Sequence, residues 1–114
     1  MKKEKNEVKP VKFSNKQSKK AFEELPDGPR KVFSGELDDV IAHGIHPTIP
    51  HDSLPGKVME LKVNGRPAYR CVYKVLDDLV IILHSFKKTT QGPDRKNLKT
   101  VETRLASLDS TQFC

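Results

Sequence analysis

Four side chains in the second half of the chain are suited to acid–base and phosphate chemistry: Arg70, His84, Lys87 and Lys88. A guanidinium offers paired N–H donors to the oxygens of a phosphate. An amine crowded by other cations or partly removed from water gives up its proton more easily, so one lysine of the Lys87-Lys88 pair could serve as base or acid. Imidazole alone among side chains titrates near neutrality without help. Each has a plainer reading. Parity places His84 with Val80 and Ile82, where a hydrogen-bonded core histidine is as good an account as a catalytic one. Tyr73 shares the apolar parity of Cys71, and core packing is favoured for it. Adjacent strand residues point to opposite faces, so only one of Lys87 and Lys88 should reach a shared phosphate. Arg70 points with Lys62 and Lys74, away from the apolar parity, and there a functional role is favoured.

The charge pattern supports a polyanion partner. Residues 1–20 hold eight Lys against Glu4 and Glu7, and residues 21–56 hold Arg30 and Lys31 against seven acids. Residues 57–99 then carry ten basic residues against Glu60, Asp77, Asp78 and Asp94. An acidic front half followed by a basic back half is the footprint of a protein that presents one cationic face. The longest unbroken apolar run, Leu79 to Leu83, is far short of the roughly 20 residues of a membrane span. The Lys/Glu-rich start has no apolar segment after it, so no secretory signal and no membrane are expected. Two cysteines, Cys71 and Cys114, make no disulfide scaffold, and the expected compartment is a reducing cytoplasm.

The elements that must position these residues are readable from periodicity. Residues 1–8 read as a flexible basic lead, 9–108 as one domain and 109–114 as a tail. Val8 to Phe13 suggests a short edge strand, where Pro10 is tolerated. Ser14-Asn15-Lys16-Gln17 fits a capping box opening a helix that buries Ala21, Phe22 and Leu25, with Phe13 as a staple. Pro29 suits the first turn of a second helix, whose face would comprise Val32, Phe33, Leu37, Val40 and Ile41, stopped at Gly44. Ile45 to Gly56 reads as a loop. From Lys57 the period becomes two: a strand to Val63, a hairpin signal at Asn64-Gly65, a strand over Ala68–Val75, and Leu79–His84, apolar on both faces and so interior to the sheet. One face, with Met59, Leu61, Cys71 and Tyr73, should pack on the N-terminal helices; the other, with Lys62, Arg70 and Lys74, should be cationic. A last helix follows Pro93, with Leu98, Val101, Leu105 and Leu108 in line. The fold class is α+β: two N-terminal helices, an antiparallel meander and a C-terminal helix.

Residues 56–108 resemble the RelE/HigB-like toxins, in particular their phage-derived branch. The resemblance rests on Glu60-Leu61-Lys62, on Tyr69-Arg70-Cys71-Val72-Tyr73, on Leu83-His84-Ser85-Phe86-Lys87-Lys88-Thr89, and on a helix begun at Pro93. The front half fits too, through Val11-Lys12-Phe13, Leu25-Pro26 and Gly44. Two positions depart from the pattern. Lys62 stands where Arg is frequent, losing the planar fork, and Gly92 stands where a Thr cap is usual.

The resemblance implies a RelE/ParE-like fold and a ribosome-dependent mRNA endoribonuclease, the toxin of a type II toxin–antitoxin pair. The implied partners are messenger RNA, the ribosome and a cognate antitoxin, often of helix-turn-helix type. The RNA 2′-hydroxyl is a built-in nucleophile, so such cleavage requires no cofactor or metal. The protein must align that hydroxyl, remove its proton, stabilise the phosphorane and protonate the leaving 5′-oxygen. Arg70, His84, Lys87 and Lys88 are the catalytic candidates. Lys57, Lys62, Arg66, Lys74, Arg95, Lys96 and Lys99 are read as RNA-binding residues, chiefly through backbone phosphates. Two alternatives stay open: a ParE-like gyrase poison on the same fold, and a non-catalytic nucleic-acid or ribosome-binding module. His43, His46 and His51 straddle a helix end and a Pro-rich loop with no Cys nearby, which argues against a zinc site.

Overall fold

The computed structural model describes residues 8–114, so the lead expected over residues 1–8 lies outside it apart from Val8. The chain is tied down from Lys9 onward: its backbone N–H donates to Ala42 O at 2.9 Å and its ammonium to Leu76 O at 2.7 Å. Strand β1 (Val11–Phe13) leads into helix α1 (Lys16–Glu23). The capping box exists one residue later than the sequence suggested. Asn15 is the N-cap, accepting from Ser18 N, and the Ser18 hydroxyl accepts from Asn15 N. Phe22 and Leu25 are buried as expected, and the Phe13 and Phe22 rings lie 5.5 Å apart.

Helix α2 (Asp27–Asp39) buries Phe33 and Leu37, and Ile41 continues that face in a short 3-10 turn closed by Gly44 at φ 81°. Val32 departs from expectation, at 41% exposed. Phe33, Leu37 and Ile41 are spaced by four and need only a narrow stripe, which leaves Val32 off it.

The remaining strands are β2 (His51–Leu54), β3 (Val58–Val63), β4 (Ala68–Val75) and β5 (Val80–Lys88), followed by helix α3 (Arg95–Ala106). The meander of β3, β4 and β5 is antiparallel as expected, and the α+β class stands. The sheet is larger than the meander, however, and mixed. Its order is β1-β5-β4-β3-β2, with β1 parallel to β5 and β2 antiparallel to β3. Part of the stretch read as a loop is therefore an edge strand. β5 lies between β1 and β4, in line with its apolar character on both faces. The C-terminal residue joins in, because Phe13 and Cys114 exchange backbone hydrogen bonds of 2.9 Å in both directions.

Two cores result, one on each sheet face. α1 and α2 cover Leu61, Cys71, Tyr73, Val80 and Ile82. On the opposite face Val58, Val72, Leu83 and Phe86 pack with Val101 and Leu105 of α3. The face read as cationic is thus half apolar and covered by α3, and only the end beside the start of α3 keeps its charged residues open. No helix among the described residues is long and apolar enough to cross a membrane.

Candidate active site

A bulge in β5 decides which side chains meet. Val72 lies opposite His84 while Tyr73 lies opposite Ile82, so Leu83 is the extra residue. An inserted residue resets the alternation of the strand. His84 therefore does not face the side of Val80 and Ile82, as parity had suggested. It faces α3, and Phe86 and Lys88 follow it there, whereas Lys87 turns to the other side.

Beyond the bulge, the α3 face forms a concavity of about 430 Å³. Its charged lining comes from every neighbouring element: Asp52 on β2, Glu60 and Lys62 on β3, Arg70 on β4, Lys88 on β5 and Asp94 at the start of α3. Register explains the gathering, since Asp52 pairs with Glu60, Lys62 with Arg70 and Arg70 with Phe86. A second, shallower depression of about 660 Å³ adjoins it, lined by Arg66, Thr89 and Thr90 and sharing Arg70, Lys88 and Gln91. Arg70 and Lys88 thus stand on the ridge common to both.

Arg70 is only 7% exposed. One of its Nη atoms donates to Tyr69 O at 3.0 Å, and its Nε stands 4.0 Å from Glu60 Oε1. Lys62 pairs with Asp52, and the Lys88 ammonium donates to Gly92 O at 2.6 Å. Lys62 holds the Asp52 carboxyl below the ordinary value, through a hydrogen bond and its charge. Glu60 moves the other way: loss of water raises it, and the pull of Arg70 and Lys62 offsets only part of that. With cations and acids interleaved, the cavity can grip an anion and also hold a carboxylate near it.

The other sequence candidates are placed elsewhere. Lys87 lines a depression on the opposite face with Leu25, Pro26 and Tyr69. Lys57, Lys74, Arg95, Lys96 and Lys99 line neither concavity; Lys74 donates to Gly56 O at 2.5 Å. Tyr73 is 1% exposed, and burial pushes its hydroxyl up, away from acid–base work at neutral pH. Cys71 is likewise buried, its thiol pushed up to about 12. His46 and His51 approach with ring centroids 5.4 Å apart, but among the described residues no group of three or more His, Cys, Asp or Glu is placed to hold a metal.

His84 lines neither concavity and has both ring nitrogens engaged. Nε2 lies 2.6 Å from Asn97 Oδ1, and Nδ1 lies 3.2 Å from Arg104 Nη1. Asn97 Nδ2 donates to Asp94 Oδ2, which turns the amide oxygen to the imidazole and makes Nε2–H the donor. Arg104 can only donate, so Nδ1 accepts. The ring is neutral and links β5 to the cap of α3, where Asp94 accepts from Asn97 N.

Burial lowers the His84 pKa first, and the Arg104 charge adds to it, against the hydrogen bond that the ring donates to Asn97. Above the ordinary value of 6.5 the ring is neutral in both folded and unfolded chains. As pH falls through 6.5 the unfolded chain takes up the proton more readily, and stability is lost until the folded pKa is passed. Wild-type melting temperature is accordingly expected to fall between about pH 7.5 and 5.5. In His84→Gln the same series should be flatter; equal slopes would remove His84 as the source.

Sequence reasoning reached Arg70 and Lys88 but gave no role to Glu60, which entered only as part of the Glu60-Leu61-Lys62 step and by sharing the parity of Lys62 on β3. Comparison with known proteins adds two findings. The family model described as "Phage derived protein Gp49-like (DUF891)" matches residues 20–106. The fold is similar to that of a doubly substituted mutant of the E. coli toxin RelE in the free state, with a TM-score of 0.64 and 18% identity over 86% of this chain and 98% of that one. At that identity the likeness concerns the fold alone. Among curated proteins none matches.

Proposed function

The chain belongs to the phage-derived Gp49-like family, a family of RelE/HigB-type toxins, and from that premise we propose that it is a messenger-RNA endoribonuclease acting on the ribosome. Its nucleophile is the RNA 2′-hydroxyl, and its control is a cognate antitoxin, of helix-turn-helix type in this reading. One observation carries the proposal: Lys62, Arg70 and Lys88, from three adjacent strands, line one concavity large enough for a nucleotide phosphate.

The chemistry follows from what those groups offer. Arg70 supplies fixed N–H donors to the non-bridging oxygens, where charge grows as the phosphorane forms. Lys88 adds an ammonium at the same ridge, held by Gly92 O. Lys62 is already paired with Asp52 and can be redirected to an incoming phosphate. Arg66, beside the second depression, extends the cationic track along the RNA backbone. His84 and Lys87 are left outside the chemical step.

Induced expression in a bacterial host, followed by primer extension on a cellular messenger, tests the reading. Discrete cuts in phase with codons are expected. Damaged DNA with intact messenger would instead establish gyrase poisoning and overturn the nuclease.

A further inference from the structure

The cavity contains a carboxylate that the grip on phosphate does not need. Glu60 sits on β3 between Asp52 and Val72, its side chain 13% exposed. An anion among phosphate-binding cations weakens phosphate binding, so its presence calls for an account. The neighbouring acids have one: Asp52 pairs with Lys62, and Asp94 caps α3 and holds Asn97. Glu36, the buried acid of α2, is also engaged, accepting from Thr48 N and Thr48 Oγ1 at 2.7 Å each. Glu60 accepts no hydrogen bond from any described residue. The nearest cation among the described residues, Arg70 Nε, stands at 4.0 Å, beyond hydrogen-bonding reach.

We propose that Glu60 is the general base of the cleavage site, receiving the proton of the RNA 2′-hydroxyl; this deepens the nuclease reading and rests on it. The phosphodiester is held by Arg70 and Lys88 on the ridge, and the preceding ribose projects its 2′-hydroxyl toward the free carboxylate. As the O2′–P bond forms, the hydroxyl proton passes to a Glu60 oxygen. As the P–O5′ bond breaks, the 5′-oxygen takes a proton from the Lys88 ammonium. The products are a 2′,3′-cyclic phosphate and a 5′-hydroxyl. Glu60 then releases its proton to water and Lys88 regains one, so the site is restored with no net proton change.

The surroundings suit the role. The groups facing Glu60 are Asp52 from β2, Lys62 from β3, Arg70 from β4 and Lys88 from β5, with Asp94 on the cavity rim. Desolvation leaves the carboxyl above its ordinary 4.5, making it a stronger base than an exposed carboxylate. His84, the obvious alternative from sequence, has both nitrogens occupied.

The test is single-turnover cleavage of ribosome-bound messenger by the full chain and by Glu60→Gln and Glu60→Asp. Wild-type protein that leaves the messenger intact overturns the nuclease reading itself and this inference with it. If wild type cleaves, Glu60→Gln is expected to be slower by about 10²–10⁴-fold and Glu60→Asp to recover part of the rate. Wild type should lose rate on acidification with an apparent pKa above 4.5, and Glu60→Gln should lack that limb. Binding of a 2′-O-methyl messenger should be equal or tighter in Glu60→Gln, as a negative charge is removed. Melting temperature should not drop, because a desolvated charge is removed with it. A messenger with a 5′-sulfur leaving group, which needs no acid, should rescue Lys88→Ala but not Glu60→Gln. Cleavage by Glu60→Gln within about threefold of wild type, well below the usual size of a general-base effect, or its rescue by the sulfur substrate, would overturn the assignment of Glu60.

Discussion

Arg70→Ala is expected to slow single-turnover messenger cleavage by about 10²–10³-fold, the usual cost of losing one fixed donor to a developing anion. Arg70 is buried to 7% exposure and braced by Tyr69 O, so its donors are oriented before substrate arrives. Orientation is what distinguishes it from a surface lysine. Arg70→Lys keeps the charge but loses the planar fork, and should recover only a minor part of the rate. Lys87→Ala is the control. Sequence gives Lys87 equal standing with Lys88, yet it opens on the opposite face beside Leu25 and Tyr69, and its removal should leave the chemical step intact. Thermal melting of each variant separates chemistry from folding. An Arg70→Ala protein that melts like wild type and still cleaves at the wild-type rate would remove the arginine from the site.

The largest expected loss of stability comes from Phe33→Ala, about 3–5 kcal/mol from lost burial and the cavity left behind. Phe33 is wholly buried between α2 and the sheet, against the face that carries Leu61, Cys71 and Tyr73. A small domain has only about 5–15 kcal/mol in reserve, so the variant should unfold at a much lower urea concentration. Val32→Ala, one residue away but 41% exposed, should stay within about 0.5 kcal/mol of wild type. Equal urea midpoints for the two variants would contradict the burial of Phe33 and the exposure of Val32 on α2.

Much of this was legible locally. The alternation of Lys57 to Val63 and Ala68 to Val75, the Asn64-Gly65 turn and the heptad-like spacing of Val101 and Leu105 each report an element through its own residues, because burial of one face imposes a period on the sequence. β2 was not legible: His51-Asp52-Ser53-Leu54 has a single apolar side chain and becomes a strand only because β3 offers an open edge. Nor was β1's parallel pairing with β5, which joins residues nearly 70 apart.

What the amino-acid order determined was the supply of groups: a guanidinium on the polar parity of β4, lysines at the end of β5, and an acid beside Lys62. Which of them share a cavity was decided in three dimensions. The extra residue at Leu83 turns Lys88 toward Arg70 and Lys87 away, and places His84 under α3 rather than in the core of Ile82. Periodicity along one strand carries no information about a bulge, because the bulge is defined by hydrogen bonding to the neighbouring strand. The register of β4 against β5, and with it the membership of the site, exists only once the sheet has formed.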